Sequence, residues 1–166
     1  MTSTITRQPV DTRELRNALG TFATGVAVIT TLAADGSPVG VTANSFASVS
    51  LDPPMILWMP GRHLRSMGHF KSADRFSVNV LAKDQAGLSR RFATPGEDKF
   101  EGLSVTDGLG GIPLIKNALA TFEASTATLH EAGDHYIILG NVERYEYRIG
   151  EPLVFHGGSY CDVIAS

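Results

Sequence analysis

The stretch GVTANSFASVSLDPP, residues 40–54, places Thr42, Asn44, Ser45, Ser48 and Ser50 close together between two apolar runs. Small hydroxyl and amide groups at this density either satisfy the backbone of a polar loop or line a site for a flat, polar ligand. A flavin ring is such a ligand, because its pyrimidine edge alternates donors and acceptors while its dimethylbenzene edge is apolar. Asn44 suits that edge, since one amide both gives and accepts hydrogen bonds. A second set lies in LAKDQAGLSRRF, where Lys83, Arg90 and Arg91 surround a helix, with Gln85 and Ser89 beside them. They read either as a solvated helical face or as groups that meet a phosphate near the helix N-terminus. Adjacent arginines leave a helix in different directions, so at most one of the two meets a phosphate directly. A third set is AGDH, in which Gly133 and Asp134 make a tight turn and His135 opens the next strand. A histidine there orients a nicotinamide or passes a proton, or is an ordinary exposed turn residue.

Other chemistries lack their residues. There is no G-x-S-x-G and no interpretable Ser/His/Asp set for a hydrolase, and the acids are scattered, unlike a glycosidase pair. No G-x-G-x-x-G follows a strand, and no Cys/His cluster has metal-ligand spacing, so no metal is expected. His63, His69, His130 and His156 read as surface or packing residues, and Phe22, Phe46, Trp58 and Phe76 as core. The net charge of −3 gives no basic footprint for nucleic acid. No apolar run reaches about 18 residues, so no transmembrane helix is expected. The single cysteine, Cys161, allows no disulfide within the chain and points to a reducing cytoplasm. At 166 residues, 43% apolar and 19% charged, the chain reads as one domain over 1–166, with 1–10 as a loose tail lacking a signal-peptide core.

The elements that must position these groups are legible in outline. Asp11 opens a helix with Glu14 as a capping-box partner and Leu15, Leu19 and Phe22 on its apolar face. VAVITTL, the Asp35-Gly36 turn and PVGVTA form a hairpin. MILWM is a short buried strand, and GRHLRSMGHF a short helix with Leu64 and Met67 facing inward. FSVNV alternates as a strand, and Asp84 is expected to cap a helix carrying Leu88 and Phe92. After a long loop over 93–112, two long strands form a hairpin around AGDH, and PLVFHGGSYC adds a last strand and a glycine tip. Roughly six strands and three short helices, joined by hairpins, predict a mainly β, antiparallel barrel with attached helices.

FATGVAVITT, GVTANSFASVSLDPPMIL, FSVNVLAKDQAGLSRRFA, DKFEG, AGDHYIILGNV and PLVFHGGSY occur in this order. Together they resemble the flavin reductase-like family, the small reductase components of two-component flavin monooxygenases, from about Leu15 to Tyr160. The resemblance implies a split β-barrel that binds FMN or FAD and forms a homodimer with flavin sites near the subunit interface. It implies NAD(P)H-dependent reduction of flavin, which is released to an oxygenase component. By motif, Thr42, Ala43, Asn44 and Ser45 would line the isoalloxazine, with Ser48, Val49 and Ser50 at its pyrimidine edge or ribityl chain. Lys83, Gln85, Arg91 and Phe92 would lie near the phosphate or the adenosine of FAD, and Tyr160 near the flavin face. Gly133, Asp134 and His135 match the glycine-aspartate-histidine motif associated with the pyridine nucleotide, with His135 as a positioning residue. Trp58 and Met59 stand where many relatives have a smaller residue and a cysteine. The lack of a basic cluster near AGDH leans toward NADH over NADPH. Two further readings share the polar stretch: a non-enzymatic flavin carrier or sensor, and an oxidase of the pyridoxamine-phosphate type.

Overall fold

The computed structural model describes residues 10–96 and 98–164, so the expected tail lies outside them except for Val10. Helix α1 (Thr12–Leu19) is followed by strands β1 (Thr24–Gly25), β2 (Ala27–Leu32), β3 (Pro38–Ala43), β4 (Ala47–Leu51) and β5 (Pro54–Trp58). Helix α2 (Met67–Ser72), β6 (Arg75–Val80) and helix α3 (Ala86–Ala93) come next. The chain continues through β7 (Val105–Asp107), β8 (Pro113–Ile115), β9 (Ala120–Ala132), β10 (His135–Tyr147), β11 (Val154–His156) and β12 (Ser159–Cys161). Among the described residues twelve strands therefore stand where about six were expected. The additional ones are mostly two or three residues long, too short to show a period, and β4 lies inside the polar stretch.

Seven strands form one antiparallel sheet in the order β3-β2-β6-β9-β10-β5-β4. Its two edge strands, β3 and β4, are consecutive in the chain, joined by Asn44, Ser45 and Phe46. A flat seven-stranded sheet would hold its edges about 29 Å apart. The four Cα steps from Ala43 to Ala47 reach at most about 14 Å. The sheet must therefore curl until its edges approach, yet β3 pairs with β2 and β4 with β5, not with each other.

Two cores follow from the two-residue period of β2. Ala27 and Ile29 face inward with Trp58, Phe70, Phe76 and Ile138, while Val26 and Val28 face outward against Leu81, Phe92 and Leu153. Gly140 lets β9 and β10 cross this core, because a Cβ there would lie 2.6 Å from Phe76 Cζ. The β7–β8 segment is held to the sheet by buried Asn79, whose Nδ2 donates to the Val28 carbonyl at 2.9 Å and whose Oδ1 accepts from Ile115 N at 2.8 Å. Buried Glu123 accepts from Leu109 N and pairs with Arg144, anchoring the same segment from its other end.

Two expectations about helices change. Asp11 caps α1 as anticipated, its Oδ1 accepting from Arg13 N at 2.8 Å and Glu14 N at 3.2 Å. However, α1 buries none of its residues; Leu15, Leu19 and the following Phe22, expected in the core, are exposed. The reason is placement: the end of α1 is tied to the last hairpin through Gly157 N and the Gly20 carbonyl (2.9 Å), outside the curled sheet. Asp84 does not cap α3. Residues Lys83–Gln85 form a 3-10 turn, and Gln85 Oε1 accepts from Ala82 N at 3.0 Å. Leu64 is half-buried and Met67 buried, as the sequence predicts.

Candidate functional site

A cleft of about 560 Å3 opens where the curled sheet fails to close. Its first wall is the end of β3 and the crossing to β4: Val41, Thr42, Ala43, Asn44 and Ser45. Its second is the end of β5 with the residues beyond it, from Trp58 to Gly61, and Leu64. The tip of the β9–β10 hairpin completes it through Ala132, His135 and Ile137. Members of two of the three predicted sets, Thr42, Asn44 and Ser45 from one and His135 from another, thus meet in one place, although more than ninety positions separate Thr42 from His135.

The hydroxyls of the first wall already serve the fold. Ser45 Oγ accepts from Met59 N at 3.0 Å and donates to the Met59 carbonyl at 3.1 Å, lacing the first wall to the second. Thr42 Oγ1 donates to the Ser89 carbonyl at 2.6 Å, which fixes the wall to α3. Asn44 is exposed, and its amide makes no hydrogen bond among the described residues. It is free to bond a ligand, as are the unpaired backbone groups on the outer edge of β3.

At the hairpin tip, Gly133 takes a φ of 62°, which favours glycine. His135 Nδ1 lies 2.8 Å from Asp134 Oδ1. With an ionised carboxylate on Nδ1, the proton sits there and Nε2 is left to face the cleft. Nε2 points toward Gly61, where an added Cβ would lie 3.9 Å away. The bond from His135, and then its charge, hold the Asp134 carboxyl below the ordinary carboxylate range.

The remaining predicted residues are not brought into this cleft. Ser48, Val49 and Ser50 lie along edge strand β4, with Ser50 Oγ accepting from Asp52 N at 3.2 Å. Lys83 pairs with Asp162 at 3.1 Å and Glu151 at 3.6 Å. Gln85 is occupied by Ala82 and by the Lys116 carbonyl (3.0 Å). Arg91 donates to the carbonyls of Asp98 and Glu101, while Arg90 turns away to lie 5.3 Å over the Tyr160 ring. Phe92 is fully buried, its ring 5.0 Å from that of Phe100. Tyr160 donates to Ser89 Oγ at 2.8 Å and so supports the residue that anchors Thr42.

Trp58 is 1% exposed and lines the cleft, so it fills core and shapes the wall at once. Pro60 and Gly61 escaped the sequence reading, and Leu64 read only as an inward-facing packing residue; the Met59-Pro60-Gly61 break after an apolar strand was the available signal. A second cleft, about 690 Å3, shares Val41 and Leu64 with the first and is lined by His63, Arg65, His69 and Lys99.

Residues 19–163 match the family described as flavin reductase like domain. The FMN reductase (NADH) SmoA of Agrobacterium fabrum is 46% identical over 150 residues, which cover 90% of this chain and 85% of that protein. The flavin-dependent monooxygenase reductase subunit HsaB of Rhodococcus jostii is 38% identical over 160 residues, covering 96% of this chain and 82% of that one. The structure of the NADH:FAD oxidoreductase SgcE6 of Streptomyces globisporus, in complex with NAD and FAD fragments, superposes with a TM-score of 0.88. Its sequence identity is 35%, with 95% of this chain and 98% of that one covered. The chain spans about half the length of some other curated relatives it matches. It belongs to the flavin reductase-like family, whose mainly β fold with attached helices it shares.

Proposed function

We propose that this chain is an NAD(P)H-dependent flavin reductase that supplies reduced FMN or FAD to a partner monooxygenase. One observation carries the reading: Thr42–Ser45 and His135 line a single cleft. The residues present fit a flavin. The cleft lies in the size range of cofactor sites, Asn44 and the β3 edge offer polar groups along one side, and Trp58, Leu64 and Ile137 offer apolar surface. A bound flavin and nicotinamide would supply the redox chemistry, transfer of a hydride between their rings. The protein's part would be to hold the two rings in alignment against each other. Asn44 and the backbone of Thr42 and Ala43 bind the flavin, and His135 positions the nicotinamide through Nε2. No side chain acts as a nucleophile.

NADH is the hydride donor in this reading. The phosphoryl end of the flavin extends into the second cleft, where Arg65 and Lys99 supply positive charge. Lys83 and Arg91, the sequence candidates for that role, would reach it only by exchanging their present partners. Arg65→Ala is expected to weaken FMN binding while leaving riboflavin binding unchanged; equal effects on both would remove this assignment.

The curled sheet is read as a split β-barrel in a single domain over 1–166, and the protein as a homodimer. The exposed apolar residues Leu15, Leu19 and Phe22 support the dimer, since such a patch on a free surface marks a contact. Among the described residues no helix is long and apolar enough to cross a membrane. We place the chain in the cytoplasm, where NADH is abundant and Cys161 stays reduced.

The deciding experiment is loss of NADH absorbance by the purified protein, with and without FMN or FAD. Flavin-dependent oxidation is expected. Flavin binding without oxidation of NADH or NADPH would favour the carrier or sensor reading instead. Oxidation of a pyridoxamine phosphate would point to the third.

A further inference from the structure

We infer that Arg62 is a positioning residue, which pins the Gly133-Asp134 turn so that His135 presents Nε2 to the cleft. This rests on the role proposed above for His135. A hairpin tip is ordinarily among the least stable parts of a fold, while hydride transfer tolerates little misplacement. Something must hold this tip.

Beyond β5 the chain keeps running alongside β10. Tyr136 N donates to the Pro60 carbonyl at 2.9 Å, Gly61 bridges to His135, and Arg62 N donates to the Asp134 carbonyl at 2.8 Å. These backbone bonds do not depend on which side chain stands at position 62. The Arg62 side chain adds three contacts of its own. Nη1 donates to the Gly133 carbonyl at 3.3 Å, Nη2 lies 3.5 Å from Glu131 Oε2, and the guanidinium sits 5.4 Å from the centroid of the Tyr136 ring.

One planar fork therefore touches the strand before the turn, the turn itself and the strand after it. Among the described residues, no other side chain hydrogen-bonds the backbone of this turn. Each contact is weak alone at a half-exposed position. Together they restrain Gly133 and Asp134, whose backbone otherwise has only the β9–β10 ladder and the strip 60–62 to hold it. A lysine carries the charge but not the fork, so it can meet Glu131 or Gly133 but not both with the same geometry.

The test compares Arg62→Ala, Arg62→Lys, His135→Ala and the double variant Arg62→Ala/His135→Ala. Amide hydrogen exchange at residues 133–135 in the flavin-free protein reads the turn without any turnover. Exchange is expected to rise about fivefold in Arg62→Ala, the size of one lost hydrogen bond, with the β6 and β9 core unchanged. The KM for NADH should rise by a similar factor, with flavin affinity unchanged and Arg62→Lys intermediate. Because Arg62 acts through His135, the double variant should be no worse than His135→Ala alone.

Unchanged exchange and KM in Arg62→Ala would overturn the inference. So would effects that multiply in the double variant, which would place Arg62 directly on the nucleotide, or a general rise in exchange across the core. If His135→Ala itself leaves the KM for NADH unchanged, the His135 role falls and the Arg62 role with it. If His135→Ala raises the KM and Arg62→Ala does not, only the Arg62 role falls.

Discussion

Replacing Ser45 by alanine separates what the polar stretch does for the fold from what it does for a ligand. Ser45 Oγ bonds both the N–H and the carbonyl of Met59, at 3.0 and 3.1 Å, and so ties two walls of the cleft together. Each such bond contributes about 0.5–1.5 kcal/mol net. The atom is partly exposed and water can replace some of the loss, so the pair is worth about 1–2 kcal/mol. In a chain of this size that corresponds to a fall in Tm of about 2–8 °C. If the whole loss also appears as lost preorganisation, flavin Kd rises about five- to thirtyfold. The assay is simple because Trp58 is the single tryptophan and lines the cleft, so flavin binding is read from quenching of its emission. The two changes should appear together. A weaker Kd with an unchanged Tm would mean that the hydroxyl touches the ligand directly and that the lacing argument is wrong.

Asn44→Ala should show the opposite pattern, with flavin Kd raised about tenfold, as for one lost hydrogen-bonding amide with its neighbours, and Tm unchanged, as checked by the same titration and a thermal melt. Asp134→Asn tests the His135 pair. The Asp134 carboxyl is held below its ordinary value by the His135 bond, so the pairing is present above the ordinary carboxylate range and lost only as pH falls through that lowered value. Wild-type KM for NADH should therefore show no rise from this source between neutral pH and about pH 5, while Asp134→Asn raises it at every pH; a KM indifferent to the substitution would detach Asp134 from the site. Gly140→Ala would force a methyl to 2.6 Å from Phe76 Cζ and 2.9 Å from Ala124 Cβ. Overpacking of this kind costs about 1–3 kcal/mol, read as a lower Tm, and an unchanged Tm would show that the core yields freely there.

The long elements and the site's two ends were legible in the sequence, and the way they meet was only partly so. The β9–β10 hairpin announced itself by alternation and the Gly133-Asp134 turn, and the Asp11 cap by its residue type. The helix bearing Leu15 and Leu19 is amphipathic, yet a period tells only that a face is apolar, not what covers it; here no part of the described chain buries it. Arg91 and Phe92 read as residues near a phosphate by their place in the family motif; the fold turns Arg91 toward loop carbonyls, while Phe92 is buried in the outer core and also lines the second cleft. Arg62 was invisible, since nothing in PGRH shows that it lies beside a turn more than seventy residues away.

The position of the cleft follows from an incomplete closure. Strands β3 and β4 are brought near by a three-residue crossing but leave their facing edges unpaired. Edge N–H and C=O groups in a crevice must find partners. A flavin's pyrimidine edge alternates donors and acceptors much as a strand edge does, so in the proposed binding mode it would complete the ladder that β3 leaves open while Asn44 would supply an adjustable amide. The ring N–H at position 3 of the flavin is then a required donor. A flavin methylated at that nitrogen should bind about tenfold more weakly, the loss of one hydrogen bond with a carbonyl left unpaired, whereas riboflavin altered only on its dimethylbenzene edge should be affected through packing alone. Equal affinity for the methylated flavin would show that the open edge of β3 is satisfied by water and that the ring is held by its faces.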